Sequence, residues 1–212
     1  FKNFRPARGI AGSDWVGFAQ FTRFFRSYQF KRVLGNTLSL SFYGLFAGFP
    51  LPIFFALLLN ALPYPRLRKT IQTITYVPHF ISTVVVVGIL MQCFNPRIGV
   101  FGVVYAKLMG RHAPDLLGTT SVFPHLYVWS GIWQQLGWNA ILYFAALSSV
   151  PMELHEAAQI DGASRYRCML HIDLPCILPT ASIMLVLSAG SIMNVGFEKV
   201  YLIGVDHSFA DK

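Results

Sequence analysis

Charged residues are scarce in this chain: Asp, Glu, Lys and Arg make up 12% of its 212 residues, while 54% are hydrophobic. Soluble domains carry about 25% charged residues, so the shortfall excludes an ordinary soluble domain and indicates a membrane protein. The charges are also unevenly spread, and none occurs in the windows 33–65, 70–96, 116–152 and 174–197. Each window exceeds the roughly 20 residues that cross a bilayer as a helix.

Other absences exclude whole classes of chemistry. The three cysteines form no CxxC pair, which argues against a disulfide framework or a thiolate metal site. No GxxxxGK[ST] sequence occurs, so the chain has no loop to cradle the phosphates of ATP. The zinc helix HExxH is incomplete, because Gln159 stands where its second histidine would fall. No metal or cofactor is therefore expected, and the net charge of +8 is assigned to the membrane surface rather than to nucleic acid.

The charge-free windows predict four membrane spans, near 36–60, 71–94, 122–150 and 176–197. The first contains a GxxxG sequence, Gly44 to Gly48, which allows close helix approach when it is more than a chance pair. Pro50 and Pro52 predict a kink in the first span, and Pro78 predicts a kink in the second. Residues 1–32 interleave aromatic and basic side chains, which favours a segment on the bilayer surface. The alternative is a loop that packs its rings on its own protein.

The third span is unusually polar. Amides at membrane depth face a bundle interior or a wet cavity, because lipid cannot satisfy them. Beside tryptophans they suit a neutral, hydroxylated ligand such as a sugar, although each amide singly is more often a hydrogen bond between helices. The substrate-path candidates are Gln134, Gln135, Trp138 and Asn139, with Asn194 and Glu198 as weaker candidates near the end of the fourth span.

Between the last two spans lies the short polar segment 151–175, which includes EAAQIDGASRYRCMLHIDLP. Ala158 and Gly162 are four residues apart, so a helix would place them on one face. Asp161-Gly162 is a suitable place to end one helical turn and begin another. Pro175 then fits the first turn of the next span. The pattern predicts a helix–turn–helix elbow with a small-residue face that invites a partner.

This segment resembles the EAA motif of binding-protein-dependent ABC importer permeases. Glu156-Ala157-Ala158, three residues, Gly162, nine residues, Ile172, one residue and Leu174-Pro175 match that motif in full. The stretches SDWVGFAQF, YVPHFIS, GIWQQLGWNAILYFAALSSVP and FEKVYLI resemble the carbohydrate-uptake branch, especially permeases paired with a lipoprotein polysaccharide-binding partner. Gln20 departs from that pattern, in which Asn is expected.

The resemblance implies an all-α, polytopic membrane protein with the type I ABC importer permease (MetI-like) helical bundle. The docking residues for the ATPase would be Glu156, Ala157, Ala158 and Gly162. The implied partners are ABC ATPase subunits, a second permease subunit, an extracytoplasmic solute-binding lipoprotein and membrane lipid. The implied setting is the cytoplasmic membrane, with 151–175 in the cytoplasm, 1–32 outside it, and further spans before Phe1 and after the permease domain 33–212.

Two observations keep other interpretations open. The segments 61–70 and 151–175 carry five Lys and Arg residues, against twelve in the segments assigned to the other side, and the positive-inside rule favours the reverse orientation. An intramembrane enzyme using His79, His125 or Glu198 is one alternative function. A secondary transporter is another, although the four windows hold no acidic residue to bind a coupling ion.

Overall fold

The computed structural model describes residues 6–12, 14–194 and 196–205; the ends of the predicted segments 1–32 and 33–212 lie outside these ranges. The described residues are mostly helical and include no β-strand. Their α-helices are α1 (Ala19–Arg26), α2 (Tyr28–Gly48), α3 (Pro50–Asn60), α4 (Pro65–Tyr76), α5 (Thr83–Cys93), α6 (Val100–Met109), α7 (Phe123–Ser148), α8 (Met152–Ile160), α9 (Arg165–Cys168), α10 (Leu174–Gly190) and α11 (Phe197–Val205). The chain divides into two compact units, residues 1–39 and 40–212.

The first unit contains the amphipathic helix α1. Its phenylalanines are exposed, yet the rings of Phe24, Phe25 and Phe30 meet edge to face with centroids 4.9–5.7 Å apart. Arg23 and Arg26 occupy the last turn of α1, where a positive charge complements the helix dipole. Exposed rings beside basic side chains are compatible with the bilayer surface, so the interfacial location of 1–32 stays a prediction.

In the part of the chain that the structure describes, two helical runs are long and apolar enough to cross a membrane, Tyr28–Asn60 and Arg165–Gly190. Pro65–Phe80 and Thr83–Cys93 form a third candidate only if this pair, bent by 101°, counts as one span. Helix α7 has sufficient length, 26 residues, but a less apolar composition. The three runs overlap three of the predicted spans, and the count of four remains a prediction.

The core of the second unit lies where α3, α7 and α10 pack together. Leu57 of α3, Phe144 and Leu147 of α7, and Ile177 of α10 are buried there. Burying such a side chain fully is worth about 1.5–3 kcal/mol relative to exposure in water. This packing fixes the two ends of the elbow, because α7 leads into α8 and α10 follows α9.

Helices α4 and α7 approach most closely at Gly137. A Cβ atom at this position would lie 2.3 Å from the main-chain oxygen of Thr75, so no larger residue fits without backbone movement. The GxxxG sequence makes no comparable contact: a Cβ at Gly44 would meet nothing within 4 Å, and one at Gly48 would meet the side chain of Ile132 at 3.5 Å. The close contact between these helices therefore uses a glycine outside the GxxxG sequence.

The kink predicted at Pro78 is replaced by a much sharper bend a few residues later, between Phe80 and Thr83. The last turn of the first arm, Val77–Phe80, is a 3₁₀ turn, and the second arm starts after Ser82, whose side chain caps α5 by accepting from Val85 N. Gln134 of α7 donates to the carbonyl oxygen of Ile81 at 2.7 Å. Contacts from both within and outside the segment thus hold the bend.

Candidate functional site: an exposed elbow and a polar cavity

The segment between α7 and α10 is an elbow of two short helices. Helix α8 ends in a Schellman motif, in which Ala163 N donates to Ala158 O at 2.8 Å and Gly162 N donates to Gln159 O at 3.0 Å. Gly162 has φ +74°, a left-handed conformation that favours glycine. The turn predicted at Asp161-Gly162 is confirmed, and so is the position of Pro175 in the first turn of α10.

The predicted docking residues lie together on the surface of this elbow. Glu156, Ala157 and Gly162 are exposed, and Ala158 is half-buried. A Cβ atom at Gly162 would meet nothing within 4 Å, so the surface above the turn is open. The arrangement leaves room for another surface to approach the main chain closely.

A buried carboxylate ties the elbow to the bundle. Asp173 is only 4% exposed and accepts hydrogen bonds from His155 Nε2 at 2.9 Å and from Asn60 Nδ2 at 3.5 Å. Because a carboxylate only accepts, the imidazole nitrogen is the donor. Arg68 donates in turn to Asn60 Oδ1 at 3.1 Å. We call Arg68, Asn60, Asp173 and His155 the elbow network; it joins α3 and α4 to both arms of the elbow.

Sequence reasoning missed the elbow network, although part of it was visible. Asp173 stands inside the matched motif, between Ile172 and Leu174, as the last charge before a long apolar run. A carboxylate beside an apolar helix must find donors, because burial without them is costly. The identity of those donors was not visible, since Asn60 lies 113 residues away in the chain.

The second feature is a cavity of about 460 Å³ within the second unit. Its walls come from α2, α3, α7, α10 and the start of α11. Most of its polar lining is neutral, with amides and hydroxyls from α7 and from the end of α10 onward. The lining includes the predicted path residues Gln134, Gln135, Asn139 and Asn194.

The two glutamines in the lining also bond to the bent segment. Gln134 contacts the main chain of Ile81, and Gln135 Oε1 accepts from His79 Nδ1 at 2.9 Å. These bonds correspond to the interhelical role that the sequence left open for them. Asn139 and Asn194 are exposed to the cavity, so their amides are the freer candidates for contact with a ligand.

Trp138 and Glu198 do not line the cavity. The Trp138 indole stacks on the imidazole of His79, with centroids 4.1 Å apart and planes inclined by 2°. Glu198 is exposed in the first turn of α11. Trp138 therefore stabilises the contact between α7 and the bent segment. If Trp138 or Glu198 contacts a substrate, it does so outside this cavity.

Lys199 is a lining residue that sequence reasoning missed. It is only 9% exposed, its Nζ donates to Tyr127 O at 2.9 Å, and the same nitrogen lies 5.0 Å from the centre of the Tyr127 ring. The signal was a single base inside the apolar stretch FEKVYLI. Its burial depends on Tyr127, which lies 72 residues earlier in the chain.

The residues named for an intramembrane enzyme have separate surroundings. His79 contacts Gln135 and Trp138, whereas His125 Nδ1 and the Tyr43 hydroxyl are hydrogen-bonded at 2.8 Å. Among the described residues, no group of three His, Cys, Asp or Glu side chains is placed to hold a metal ion. No observation therefore supports the enzyme alternative.

Comparison with known proteins identifies the family. Residues 48–197 match the model of the binding-protein-dependent transport system inner membrane component. Protein LplB of Bacillus subtilis (strain 168) is 41% identical over 213 residues, which cover 100% of this chain and 67% of LplB. The polygalacturonan/rhamnogalacturonan transport system permease protein YteP of the same organism is 39% identical, over 96% of this chain and 63% of YteP.

A solved structure shows the same fold. It is the crystal structure of a bacterial ABC transporter involved in the import of the acidic polysaccharide alginate, with a TM-score of 0.84 and 41% identity. The match covers 89% of this chain and 66% of that one, so the present sequence spans about two thirds of the proteins it resembles. The helical permease fold implied by the motif is confirmed. This chain belongs to the family of binding-protein-dependent transport system inner membrane components.

Proposed function

We propose that this chain is the transmembrane permease subunit of an ATP-driven importer that moves a sugar or oligosaccharide across the cytoplasmic membrane. The observation that carries the proposal is the combination, in one helical unit, of an open small-residue elbow and a cavity lined by neutral amides. The names of YteP and of the alginate importer, both polysaccharide transport proteins, support the substrate class.

ATP hydrolysis is assigned to a separate chain. The sequence has no phosphate-binding loop, so the elbow must receive its drive from outside. We assign docking of an ATPase subunit to Glu156, Ala157, Ala158 and Gly162, whose open surface admits a close partner. We also assign a second permease subunit, which completes the pathway, and an extracytoplasmic binding protein, which delivers the substrate. The family description, which names a binding-protein-dependent transport system, supports the second assignment.

The elbow network transmits the movement. Force applied to α8 reaches His155, and the bond from His155 to Asp173 passes it to the start of α10. The bond between Asn60 and Asp173 links the same point to α3, although at 3.5 Å it is the weaker contact. An ATPase that draws the elbow inward would therefore move α3 and α10 together, and these helices form walls of the cavity.

The cavity is the proposed substrate path. Amides can donate to and accept from sugar hydroxyls, and Asn139 and Asn194 present theirs to the cavity. The helices around it are assigned to the membrane as a multi-pass bundle, with α7 turned so that its polar residues avoid lipid. The elbow is assigned to the cytoplasm.

Reconstitution tests the proposal. The full transporter, with its ATPases and binding protein, is placed in liposomes, and uptake and ATP hydrolysis are measured with a panel of neutral and acidic oligosaccharides. At least one glycan should be accumulated in an ATP-dependent manner and should stimulate hydrolysis through the binding protein. A transporter that hydrolyses ATP but responds to no glycan in the panel would contradict the substrate class. Failure of the chain to copurify with an ATPase would contradict the assignment as an importer subunit.

A further inference from the structure

The cavity contains one charged lining residue, and that residue is a cation. Lys199 is the sole Asp, Glu, Lys or Arg among the residues that line the cavity in the described part of the chain. It is also one of very few buried polar residues there, with 9% of its surface exposed. A buried ammonium group is costly, so its position calls for an explanation.

Its contacts compensate only part of that cost. An ammonium group has three donors, of which one is used by the carbonyl oxygen of Tyr127 at 2.9 Å. The ring of the same tyrosine faces the charge at 5.0 Å. Within the described ranges, the one contact with ion-pair geometry joins His155 to Asp173 in the elbow network, so no carboxylate neutralises Lys199. Two donors and an uncompensated charge remain beside the cavity.

We infer that Lys199 binds the carboxylate of an acidic sugar in the transport path, so that the substrate is a uronic-acid oligosaccharide. This inference rests on the proposed function and specifies its substrate. The amides of the lining would bond the hydroxyls, and the ammonium group would bond the acid. The ammonium group would neutralise one uronic-acid residue of the oligosaccharide at a time, whereas a phosphate ester concentrates about −1.5 to −2 on a single group at neutral pH and would remain under-neutralised.

The test uses Lys199→Gln and Lys199→Arg in the complete transporter in liposomes. Gln retains a donor for Tyr127 O and removes the charge, while Arg retains the charge. The probes are trigalacturonate, its fully methyl-esterified form, a neutral trisaccharide and sn-glycerol 3-phosphate. Each variant is compared with the unmodified transporter supplied with the same binding protein, so the selectivity of the binding protein cancels from the ratio.

Trigalacturonate uptake should fall at least about tenfold in Lys199→Gln, the effect of losing one hydrogen bond to a charged group. Lys199→Arg should stay within about threefold of the original rate, since it retains the charge. Uptake of the ester, where the transporter accepts it, should change less than twofold in both variants. Copurification with the ATPase is measured alongside, because a joint loss of assembly and of acid and ester uptake would show that Lys199 is structural.

Several results would overturn the inference. Equal losses for the acid and the ester, or unchanged acid uptake in Lys199→Gln, would make Lys199 a structural link between α11 and α7. The carboxylate assignment would be overturned if the transporter imported only the neutral trisaccharide or the methyl ester. It would also be overturned if the transporter imported sn-glycerol 3-phosphate in place of trigalacturonate. The proposed importer function would stand in each case. Import of no glycan would remove the proposed function itself.

Discussion

Replacement of Asp173 by Ala should loosen the elbow without removing it. The substitution deletes the acceptor for His155, which is bonded at 2.9 Å, and for Asn60, which is bonded at 3.5 Å. The longer contact is at the limit of a hydrogen bond and adds little to this loss. One bond to a charged acceptor is therefore lost, worth about 1.5–3 kcal/mol. That energy corresponds to a rise of roughly 10- to 150-fold in the opening equilibrium of the elbow.

Hydrogen–deuterium exchange measures this opening directly, because exchange of protected amides follows local unfolding. Peptides covering 152–160 should exchange faster by about that factor in the assembled Asp173→Ala transporter. Asp173→Asn should show a smaller effect, since its amide oxygen can still accept from His155. Glu153→Gln is the matched control, because it removes an exposed acid from α8, the helix whose exchange is measured.

The functional result should follow the structural one. A loosened elbow absorbs the movement of the ATPase, so ATP hydrolysis should persist while uptake per ATP falls by at least about tenfold, the lower end of the same range. If exchange over 152–160 and uptake per ATP both match those of Glu153→Gln, the elbow network does not transmit force. Faster exchange with normal uptake would show that the network stabilises the elbow and contributes nothing to coupling.

Four further predictions follow from single positions. Gly162→Glu adds a charge to the open docking surface and about 1–2 kcal/mol of strain in the left-handed conformation, so copurification of the ATPase should fall. Gly162→Asn should retain most of that copurification, and normal copurification with Gly162→Glu would contradict docking at this surface. A cysteine at Ser164 in a cysteine-free background should resist a membrane-impermeant thiol reagent in intact cells, and labelling at the rate of an external control would reverse the topology. Asn139→Leu should lower uptake about two- to tenfold with basal ATP hydrolysis unchanged, and normal uptake would place the path elsewhere. Gly137→Ala should destabilise the solubilised transporter by about 1–3 kcal/mol. Its Tm should be lower than that of the control Gly88→Ala, where nothing lies within 4 Å of the added methyl group. Equal Tm values for the two variants would contradict the close contact at Gly137.

The elbow was predictable because its signals are local. The end of α8 depends on a glycine that can adopt positive φ. Pro175 stands in the first turn of α10, directly after the π-helical turn Met169–Asp173 and within the continuous helical run Arg165–Gly190. Both signals lie within the segment they control, so the sequence predicts the turn at Gly162 and the position of Pro175. The family motif then supplies the docking role, which still awaits its test.

The cavity was only partly predictable, because its chemistry depends on distant contacts. The pattern of α7 predicts that amides face inward, but it cannot show that Gln134 bonds a main-chain oxygen 53 residues earlier. It also cannot show that Trp138 stacks on His79 away from the cavity lining. Lys199 was missed for the same reason, since charge in a short apolar stretch indicates neither burial nor the neighbours that permit it.

The bend between Phe80 and Thr83 has a consequence for how the protein is made. A turn of 101° leaves main-chain groups outside any helix, and within a membrane each such group needs a protein partner. The Ser82 side chain serves one of them from within the segment, but the carbonyl oxygen of Ile81 depends on Gln134 in α7. The ribosome completes residues 65–93 well before it reaches α7. The hydrogen bond to Ile81 can therefore form only after α7 has joined this segment, so this contact is made in a folding step between helices rather than during the transfer of a single span.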